Sequence, residues 1–452
     1  MTPPAGRCGM PETRTGSLAL SGGTVVDVAS GQYLPDQVIV ISGGRIAGAG
    51  RAGQVAVPAG ADRLDVSGKW IAPGLIDMHC HLTPLADNVP LEFFLACGVT
   101  TVRDPGGHAT EQRLLRDSVR DGSRAGPRIL ASGEILDGIP LVAVAHRILA
   151  DTPERGTAAV RHLAAQGMDC IKVYNSITEE VLAAIIAAAS GEGLPVIGHV
   201  PRCMSMRRAV EMGVTGLEHI RITGLDFLPP EQARELDGLP LGEREPRLWQ
   251  LIDLDAAWAA DLIALMADRR VTLDPTLLID EVVYGAGLRA QLDHPGNDRL
   301  PAATRAKWAA YTPGPQFAIP AHLRAPAAEM LGKRGEFVAR CARAGVRIVT
   351  GTDGAGLGDL LPGFALHREL GLLRDCGLPA GDVLAAATIG AADALGLADQ
   401  IGSVEPGKVA DITVWNTDPL TSQPTQAALD LVIAAGQPYD PAALLAQAAA
   451  GP

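Results

Sequence analysis

The sequence predicts an α/β fold, in which a parallel barrel is bracketed by a small β module built from both ends of the chain. Three observations support this prediction. After Ile71, apolar runs of strand length alternate with longer helical runs, a pattern typical of β/α units around a parallel sheet. Apolar runs cut by glycine pairs precede that region. A turn-rich β pattern follows it.

The composition excludes several classes of function. Of the 452 residues, 47% are hydrophobic and 20% are charged, which is enough apolar material for a large core and argues against disorder. The longest uninterrupted apolar run, VLAAIIAAA, is far shorter than the about 18 residues needed to cross a bilayer. The net charge of −13 repels phosphate backbones. We therefore expect neither a membrane nor a nucleic acid as a partner.

The N-terminal segment and the cysteines bear on location and redox chemistry. Residues 1–17 are rich in Pro, Gly, Thr and charge and lack the apolar core of a secretory signal. We expect a disordered leader on a cytoplasmic enzyme. The seven cysteines are scattered and form no C-x-x-C pair, so neither a disulfide framework nor a thiolate zinc site is predicted.

The β module is predicted from short runs bounded by turn formers. These are LALSGGTVVDV, YLPDQVIVISGGRIAGAG and DRLDVSGKWIAPG near the start of the chain, and GSVEPGKVADITVWNTDPL near its end. The predicted domains are the leader at 1–17, the β module at 18–70 plus 400–437, the barrel at 71–399 and a C-terminal tail at 438–452.

Within the barrel, the helix signals are strongest in the middle of the chain. One apolar stripe predicts a helix over Glu179–Ala189, with Ser176 and Glu179 forming an S-x-x-E capping box. A strand over Leu194–His199 and a helix over Ser205–Met212 follow, and the next strand runs into His219.

The same cadence returns later in the chain. A helix over Glu336–Ala344 closes on Gly345 and is followed by a strand over Val346–Asp353. A last helix is predicted near Asp382–Thr388.

Two connections, 222–254 and 278–327, are long for such a fold, and loops of that size are usually functional covers or disordered. They contain four aromatic residues that either form an apolar lid or serve ordinary packing: Trp249, Tyr284, Trp308 and Tyr311.

Histidines follow several of the predicted strands. His79 and His81 end the apolar run IAPGLIDM, and side chains two apart on a strand share a face, while Cys80 points the opposite way. Such a pair can provide two nitrogen ligands to one metal ion. Because H-x-H pairs are also common as solvated or hydrogen-bonded histidines, the pair alone does not decide between the two interpretations.

The other strand ends favour a metal site. His199, His219 and Asp353 each close a separate predicted strand, and the carboxyl ends of parallel barrel strands converge on one rim. Four imidazoles and a carboxylate form a borderline-soft site that suits zinc, with manganese, cobalt or iron as substitutes.

A lysine interrupts one of the apolar strands. Lys172, in MDCIKVYN, is expected to face the same rim, where an ammonium beside divalent cations is costly. Either the neutral amine reacts with carbon dioxide to give a bridging carbamate, or the side chain reaches solvent or pairs with an acid such as Asp104. The residues alone leave both interpretations open.

Several motifs, in this order along the chain, resemble the amidohydrolase superfamily. They are PGLIDMHCHL, FLACGVTTVRDPGG, the lysine of CIKVYN, the GHV and LEH histidines, GTD, LPGFALHREL and GSVEPGKVADITVW. The resemblance runs from about Leu18 to Gly436, and TTVRDPGG with the Lys172 strand is most similar to the imidazolonepropionase-like and prolidase-like (Xaa-Pro dipeptidase-related) branch. It implies a distorted (β/α)8 barrel with a composite β-sandwich made from both chain ends.

The resemblance also implies a role for each residue of the set. His79 and His81 are expected to hold a buried metal, Lys172 as an N6-carboxylated bridge to hold both metals, and His199 and His219 to hold a more exposed metal. Asp353 is expected to touch the buried metal and to act as general base, then general acid. The implied cofactors are two divalent ions, most simply zinc.

The resemblance implies a hydrolase that cleaves an amide or peptide-like C–N bond of a small molecule through a metal-bridging hydroxide. Two alternatives stay open: a deaminase or a cyclic-amide or lactone hydrolase with one metal and an unmodified lysine, and a non-catalytic scaffold of the same fold. Related proteins often associate, so a homo-oligomer is compatible with the resemblance.

The remaining polar candidates receive smaller roles. Tyr174 shares the face of the strand lysine and either donates to an oxyanion or forms part of the wall. Arg103 and Asp104 are expected to form a structural ion pair rather than substrate contacts. His367 is expected to make a supporting hydrogen bond near the site. The other histidines are expected on the surface or in loops: His108, His146, His162, His294 and His322.

Overall fold

The computed structural model describes residues 16–82, 91–139, 146–285, 314–354 and 360–450, with residues 298, 302, 305 and 306 as isolated positions. Most of the predicted leader, together with His294, Trp308 and Tyr311, lies outside the described residues.

The described chain alternates strands and helices. The strands are β1 Leu18–Asp27, β2 Gln32–Ser42, β3 Arg45–Arg51, β4 Asp62–Asp65, β5 Trp70–Pro73, β6 Leu75–Asp77, β7 Val99–Asp104, β8 Arg128–Ala131, β9 Ile135–Asp137, β10 Arg147–Leu149, β11 Ile171–Val173, β12 Val196–Gly198, β13 Gly216–Glu218, β14 Thr272–Asp274, β15 Arg347–Ile348, β16 Ile412–Trp415, β17 Leu429–Ala434 and β18 Gln437–Tyr439. The α-helices are α1 Glu92–Ala96, α2 Ala109–Arg120, α3 Pro153–Ala165, α4 Glu179–Glu192, α5 Met206–Met212, α6 Pro230–Asp237, α7 Leu241–Leu251, α8 Ala257–Asp268, α9 Leu277–Tyr284, α10 Arg324–Arg343, α11 Phe364–Asp375, α12 Ala380–Ala386, α13 Ile389–Ala394 and α14 Pro441–Ala450.

Strands from both ends of the chain pair in one mixed sheet. Its order is β18-β17-β16-β5-β1-β2-β3, with β4 paired to β1. The junction between the two ends is the antiparallel pair β5 and β16, in which Trp70 lies opposite Trp415 and Pro73 opposite Ile412. The predicted pairing of the two ends is therefore present, as a single hydrogen-bonded sheet.

The middle of the chain forms two parallel sheets, with the orders β10-β9-β11-β12-β13-β14-β15 and β6-β7-β8. At one side the two sheets approach each other through a parallel bridge between Cys80 and Gly354 and a hydrogen bond of 2.8 Å from Met78 N to Thr350 O. The ladders among the described residues do not form a closed barrel. Parallel order alone places the carboxyl ends of these strands along one edge.

The helices pack on these sheets through apolar stripes. Val181, Leu182, Ile185 and Ala189 of α4 are buried, which is the stripe expected from the sequence. The cap differs from the prediction: Thr178 lies at the N-cap, and its side chain accepts a hydrogen bond from Val181 N. Ser176 donates its backbone N–H to Asp137 Oδ1 instead.

The first long connection is more regular than expected. Residues 222–254 contain α6 and α7, and Trp249 is fully buried rather than part of a lid. The second connection, 278–327, begins inside α9 and ends inside α10. The sequence did not predict α6 and α7 because Pro230 and Pro246 lie within these helices. A proline in a helical pattern normally indicates the end of the helix.

The segment expected to be a C-terminal tail forms β18 and α14. Leu444 and Leu445 of α14 pack in an apolar cluster with Phe93 and Leu95 of α1. Asp440 also caps the helix, because its Oδ1 accepts from Ala442 N and Ala443 N and Pro441 takes the first helical position. None of the described helices combines the length and the apolar character needed to span a membrane.

Candidate active site

The six residues expected to bind metal line one cavity of about 310 Å³ at the carboxyl edge of the parallel sheets. The short strands β12 and β13 end immediately before His199 and His219. Lys172 lies within β11, and His79 follows β6 by two residues. Residues distant in sequence are therefore brought together by strand order, as the sequence predicts: His79, His81, Lys172, His199, His219 and Asp353.

A glycine allows one of these strands to come close to its neighbour. Gly198 has φ +146°, and a Cβ atom there would lie 2.1 Å from Val173 O. His199 N donates to the same carbonyl over 3.2 Å. Only glycine fits this position, and it fixes where the His199 ring enters the cavity.

Two residues of the set have left-handed backbones. His219 has φ 64° and Asp353 has φ 52°, a conformation that non-glycine residues adopt at a cost. Backbone hydrogen bonds hold both: His219 N donates to Asp274 O over 2.8 Å, and Asp353 N donates to His79 O over 2.7 Å. Strain held in this way is typical of functional sites.

Each of the four imidazoles has its Nδ1 atom bonded to another protein atom. The Nδ1 atoms of His79 and His81 lie 2.5 Å from Glu218 Oε2 and 2.9 Å from Gly106 O. The Nδ1 atoms of His199 and His219 make the same kind of contact, at 2.9 Å and 2.6 Å, with Asn175 Oδ1 and Thr276 Oγ1. Metal-binding histidines are oriented in this way, with the other ring nitrogen left for the metal.

Three of the imidazoles lie close to Asp353. The Nε2 atoms of His79 and His81 lie 3.4 Å and 3.1 Å from Asp353 Oδ1. The ring centroids of His79 and His219 are 4.9 Å apart, and those of His199 and His219 are 4.8 Å apart. One donor atom each from His79, His219 and Asp353 lies within 4.8 Å of the others.

Burial sets the protonation of three of the histidines. It lowers the pKa of His79 to about 4, with the charge of Lys172 adding to the effect. Burial also holds the pKa values of His199 and His219 well below their ordinary value. Neutral imidazoles are the form that binds metals.

The fourth histidine, His81, forms an ion pair with Asp353. Burial alone would lower the pKa of His81, but hydrogen bonds with Asp104 and Asp353 outweigh it and raise that pKa to about 10. Burial likewise opposes ionisation of Asp353, whose pKa is nevertheless lowered, chiefly by the hydrogen bond from His81. Asp353 is therefore an anion within a cluster of imidazoles.

Lys172 takes neither of the positions expected for an unmodified lysine. It is 1% exposed, so it does not reach solvent, and its Nζ is buried without a hydrogen-bond partner among the described residues. Burial lowers its pKa to about 8. A buried amine with a lowered pKa and no hydrogen-bond partner, next to four imidazoles and a carboxylate, fits a site in which these groups bind a further ion or group.

Tyr174 lines the cavity, as expected from its place two residues after the strand lysine. Its ring centroid is 4.1 Å from that of His199. Burial raises the pKa of its hydroxyl, so the group carries a proton to donate.

The prediction that Arg103 pairs with Asp104 is wrong, because Arg103 pairs with a different acid. Arg103 Nη2 lies 2.6 Å from Glu218 Oε1 instead, and its Nε donates to Met78 O. Asp104 accepts from Leu82 N and Gly106 N. Successive residues of β7 face opposite sides of the strand, which is why neighbours in sequence do not pair.

Glu218 is a residue that the sequence interpretation missed. It is 1% exposed and contacts both the Arg103 guanidinium and the His79 imidazole. These two groups keep the pKa of Glu218 low, although burial alone would raise it. The signal was present, because a carboxylate at the end of an apolar strand and directly before His219 needs a buried partner.

His146, expected on the surface or in a loop, lies in a loop directly before β10 and lines the cavity. One histidine assignment is corrected. His367, expected to support the site, lies early in α11 as predicted, but its Nε2 donates to Cys97 O over 2.8 Å, away from the cavity. His108, His162 and His322 are exposed, as predicted.

The wall opposite the histidines is built by α7, α9 and α10. Arg334 pairs with Glu245 and Asp280 and lies over the rings of Trp249 and Tyr284, at 5.2 Å and 5.5 Å. We call this set the arginine wall. The sequence does not reveal its polar members, since they lie on helices whose exposed and buried faces the sequence pattern does not separate.

Comparison with known proteins identifies the family of this chain. The model of the amidohydrolase family matches residues 70–439. An imidazolonepropionase from Rhizorhabdus wittichii is 28% identical over 417 residues, which cover 85% of this chain and 88% of that protein. A crystal structure of a putative prolidase from Bifidobacterium longum is 27% identical, covers 96% of this chain and 100% of its own, and superposes with a TM-score of 0.68.

A shorter match is local. It is 49% identical over 65 residues to a dihydroorotase from Pelotomaculum thermopropionicum, and it covers 14% of each protein. Members of the family generally depend on metal ions and act on small molecules, and the donor set described above suits such a metal. The extent of the family match leads to one conclusion: the chain belongs to the amidohydrolase family, is similar to its imidazolonepropionase-like and prolidase-like members, and is a hydrolase that acts on C–N bonds.

Proposed function

We propose that this protein cleaves an amide or peptide-like bond of a small molecule with two divalent metal ions, most simply zinc. His79 and His81 would hold one ion and His199 and His219 the other, with Asp353 on the first and Lys172, as an N6-carboxylate, shared between them. The observation that carries the proposal is the convergence of imidazoles whose Nδ1 atoms are already bonded.

The metal would supply acidified water and a polarised substrate carbonyl. The chain would supply the proton transfers: Asp353 takes a proton from the attacking water and delivers it to the leaving nitrogen. Tyr174, protonated and beside His199, would donate a hydrogen bond to the developing oxyanion.

The proposal includes the scaffold. We place the site on a distorted (β/α)8 barrel over 71–399, with a composite β-sandwich from 18–70 and 400–437. The similarity to amidohydrolases supports this scaffold. The cytoplasmic location and a homo-oligomeric state stay predictions.

Substitution of Lys172 tests the site. Lys172→Ala should lose metal and activity together, and a short carboxylic acid such as acetate should restore part of both, because its carboxylate can replace the carbamate. Metal content and hydrolysis of N-acyl amino acids, dipeptides and lactams are measured with zinc or manganese supplied. Failure of any acid to restore metal would contradict the bridging role.

A second candidate is a cyclic-amide hydrolase with one metal, which the name of the imidazolonepropionase relative favours. Metal analysis distinguishes the two. Active protein with two equivalents of metal per chain supports the first proposal, whereas one equivalent, with activity unchanged in Lys172→Ala, supports the second. A scaffold without catalysis would turn over none of these substrates.

A further inference from the structure

A second cavity, of about 410 Å³, adjoins the candidate active site. The two cavities share three lining residues: Asn175, Arg221 and Glu245. Asn175 also holds the Nδ1 atom of His199, so one residue between the two cavities also positions a side chain of the proposed site. A substrate longer than the first cavity would enter the second.

The second cavity is positively charged. Its charged lining residues are Arg202, Arg221, Arg234, Arg244, Asp237 and Glu245. Four guanidinium groups therefore face two carboxylates, in a chain whose net charge is −13. Such a local reversal of charge favours an anion.

Two short loops couple the arginines to the proposed metal ligands. Arg202 follows His199 by three residues, in the loop after β12, and Arg221 follows His219 by two residues, after β13. Arg202 N donates to Asn175 O over 2.9 Å, which fixes the first loop. Arg221 itself lines both cavities. The same strand ends thus supply both sets of groups.

Only some of these arginines have counter-ions. Arg244 pairs with Asp237 at 2.9 Å and with Glu245 at 2.6 Å. Glu245 is shared further with Arg334. Within the described part of the chain, neither Arg202 nor Arg221 forms an ion pair, and the buried Nε of Arg221 has no hydrogen-bond partner.

The uncompensated charges raise the free energy of the empty cavity. Burial and the charge of Arg244 lower the pKa of Arg202, which is the sign of a cation held away from water beside another cation. A guanidinium presents paired donors that match a carboxylate. A bound carboxylate would therefore offset an unfavourable interaction and also satisfy an orphaned donor.

We propose that Arg202 and Arg221 bind a carboxylate of the substrate in this second cavity, while the amide bond lies among the histidines. This assignment rests on the proposed hydrolase function and deepens it, since it makes the substrates acidic amides. The carboxylate is either the free terminal group of an acylated amino acid or peptide or an acidic side chain within it.

Two ligand pairs test the proposal by calorimetric binding to the metal-loaded protein. N-acetyl-L-leucine against its amide isolates a terminal carboxylate. N-acetyl-L-glutamate α-amide against N-acetyl-L-glutamine α-amide isolates a side-chain carboxylate. We expect the acid of at least one pair to bind about 10- to 100-fold more tightly than its neutral partner. The pair that shows the preference identifies the source of the carboxylate.

The variants Arg202→Met and Arg221→Met should each reduce that preference to below about threefold, and Arg202→Lys should retain part of it. Arg161→Met, at an exposed position of α3, should leave it unchanged. Equal binding of acid and amide by the unmodified chain, or a preference that survives both methionine variants, overturns the proposal. Survival would place the carboxylate on the metal ions instead.

The outcomes for the two proposals are separable because calorimetry needs no turnover. Arginine-dependent binding of acids by a protein that hydrolyses no amide would support the second cavity and contradict the hydrolase assignment. Hydrolysis of neutral and acidic amides at equal kcat/KM would support the hydrolase assignment and contradict the carboxylate site in the second cavity. Loss of an Arg202→Met variant to misfolding is recognised from its thermal midpoint, and the Arg202→Lys variant then carries the test.

Discussion

The cavity has two sides whose buried charges are satisfied in different ways. On the histidine side, formed by His79, His81, His199 and His219, each ring has its Nδ1 atom bonded to another protein atom, and three of the rings lie close to Asp353. On the arginine wall, Arg334 pairs with two carboxylates at once. The histidine side therefore keeps ring nitrogens that can bind a metal, whereas the charged groups of the arginine wall bind one another. The difference predicts where substitutions change chemistry and where they change stability.

The largest effect on chemistry is expected at Asp353. Asp353→Asn keeps the size and shape of the side chain but replaces one carboxylate oxygen with an NH2 donor and removes the proton acceptor, so kcat should fall by about 10²- to 10⁴-fold. The comparison is sharpened if metal content and thermal midpoint change little. Asp382→Asn, at an exposed position of α12, is the matched control. Near-normal turnover with metal bound would remove the proton-transfer role.

The largest effect on stability is expected at the arginine wall. Arg334→Met leaves the carboxylates of Glu245 and Asp280 buried without this partner, and an uncompensated buried charge of that kind costs about 3–5 kcal/mol. Denaturant unfolding measures the loss. Arg343→Met is the control, because Arg343 is 63% exposed in its pair with Glu336 and exposed pairs contribute about 0–1 kcal/mol. Equal losses from the two variants would break the distinction between the two sides.

The two sides also differ in how far the sequence predicts them. The histidine side follows from local pattern: short apolar runs mark strands, and parallel strands place their ends together whatever the loops between them do. The set of six residues was therefore predictable as a cluster from single positions such as His199 and Asp353. The family resemblance added the role of each residue, which residue spacing does not contain.

The arginine wall was not predictable in this way. Glu245 and Arg334 lie 89 residues apart on helices that carry both polar and apolar residues, and only tertiary packing decides that their charged ends meet inside. The same limit explains Arg103, whose partner Glu218 lies 115 residues away although an acid is its neighbour in sequence. Long-range pairs between charged residues leave no periodic signal.

A smaller effect on metal binding is expected from Glu218. Glu218→Gln removes the charge that orients His79 and should weaken metal affinity by about 10- to 100-fold, as measured by competition with a chelator. The variant also leaves Arg103 without its closest anion, so stability must be followed in parallel. A loss of stability with unchanged metal affinity would place Glu218 with the arginine wall instead of the histidine side.

The smallest of these effects is expected from Thr276, the corresponding partner of His219. Thr276→Val is nearly isosteric and keeps the β-branched shape at a position with φ 44°, so it removes the hydroxyl that lies 2.6 Å from His219 Nδ1 without a new strain. A neutral hydrogen bond of this kind contributes about 0.5–1.5 kcal/mol, which corresponds to a loss of about two- to tenfold in metal affinity. Chelator competition on the Thr276 and Glu218 variants, measured together, decides whether charge matters beyond orientation. If both lose affinity equally, the bonds at Nδ1 act only by fixing the rings, and the anionic partner of His79 has no separate electrostatic role.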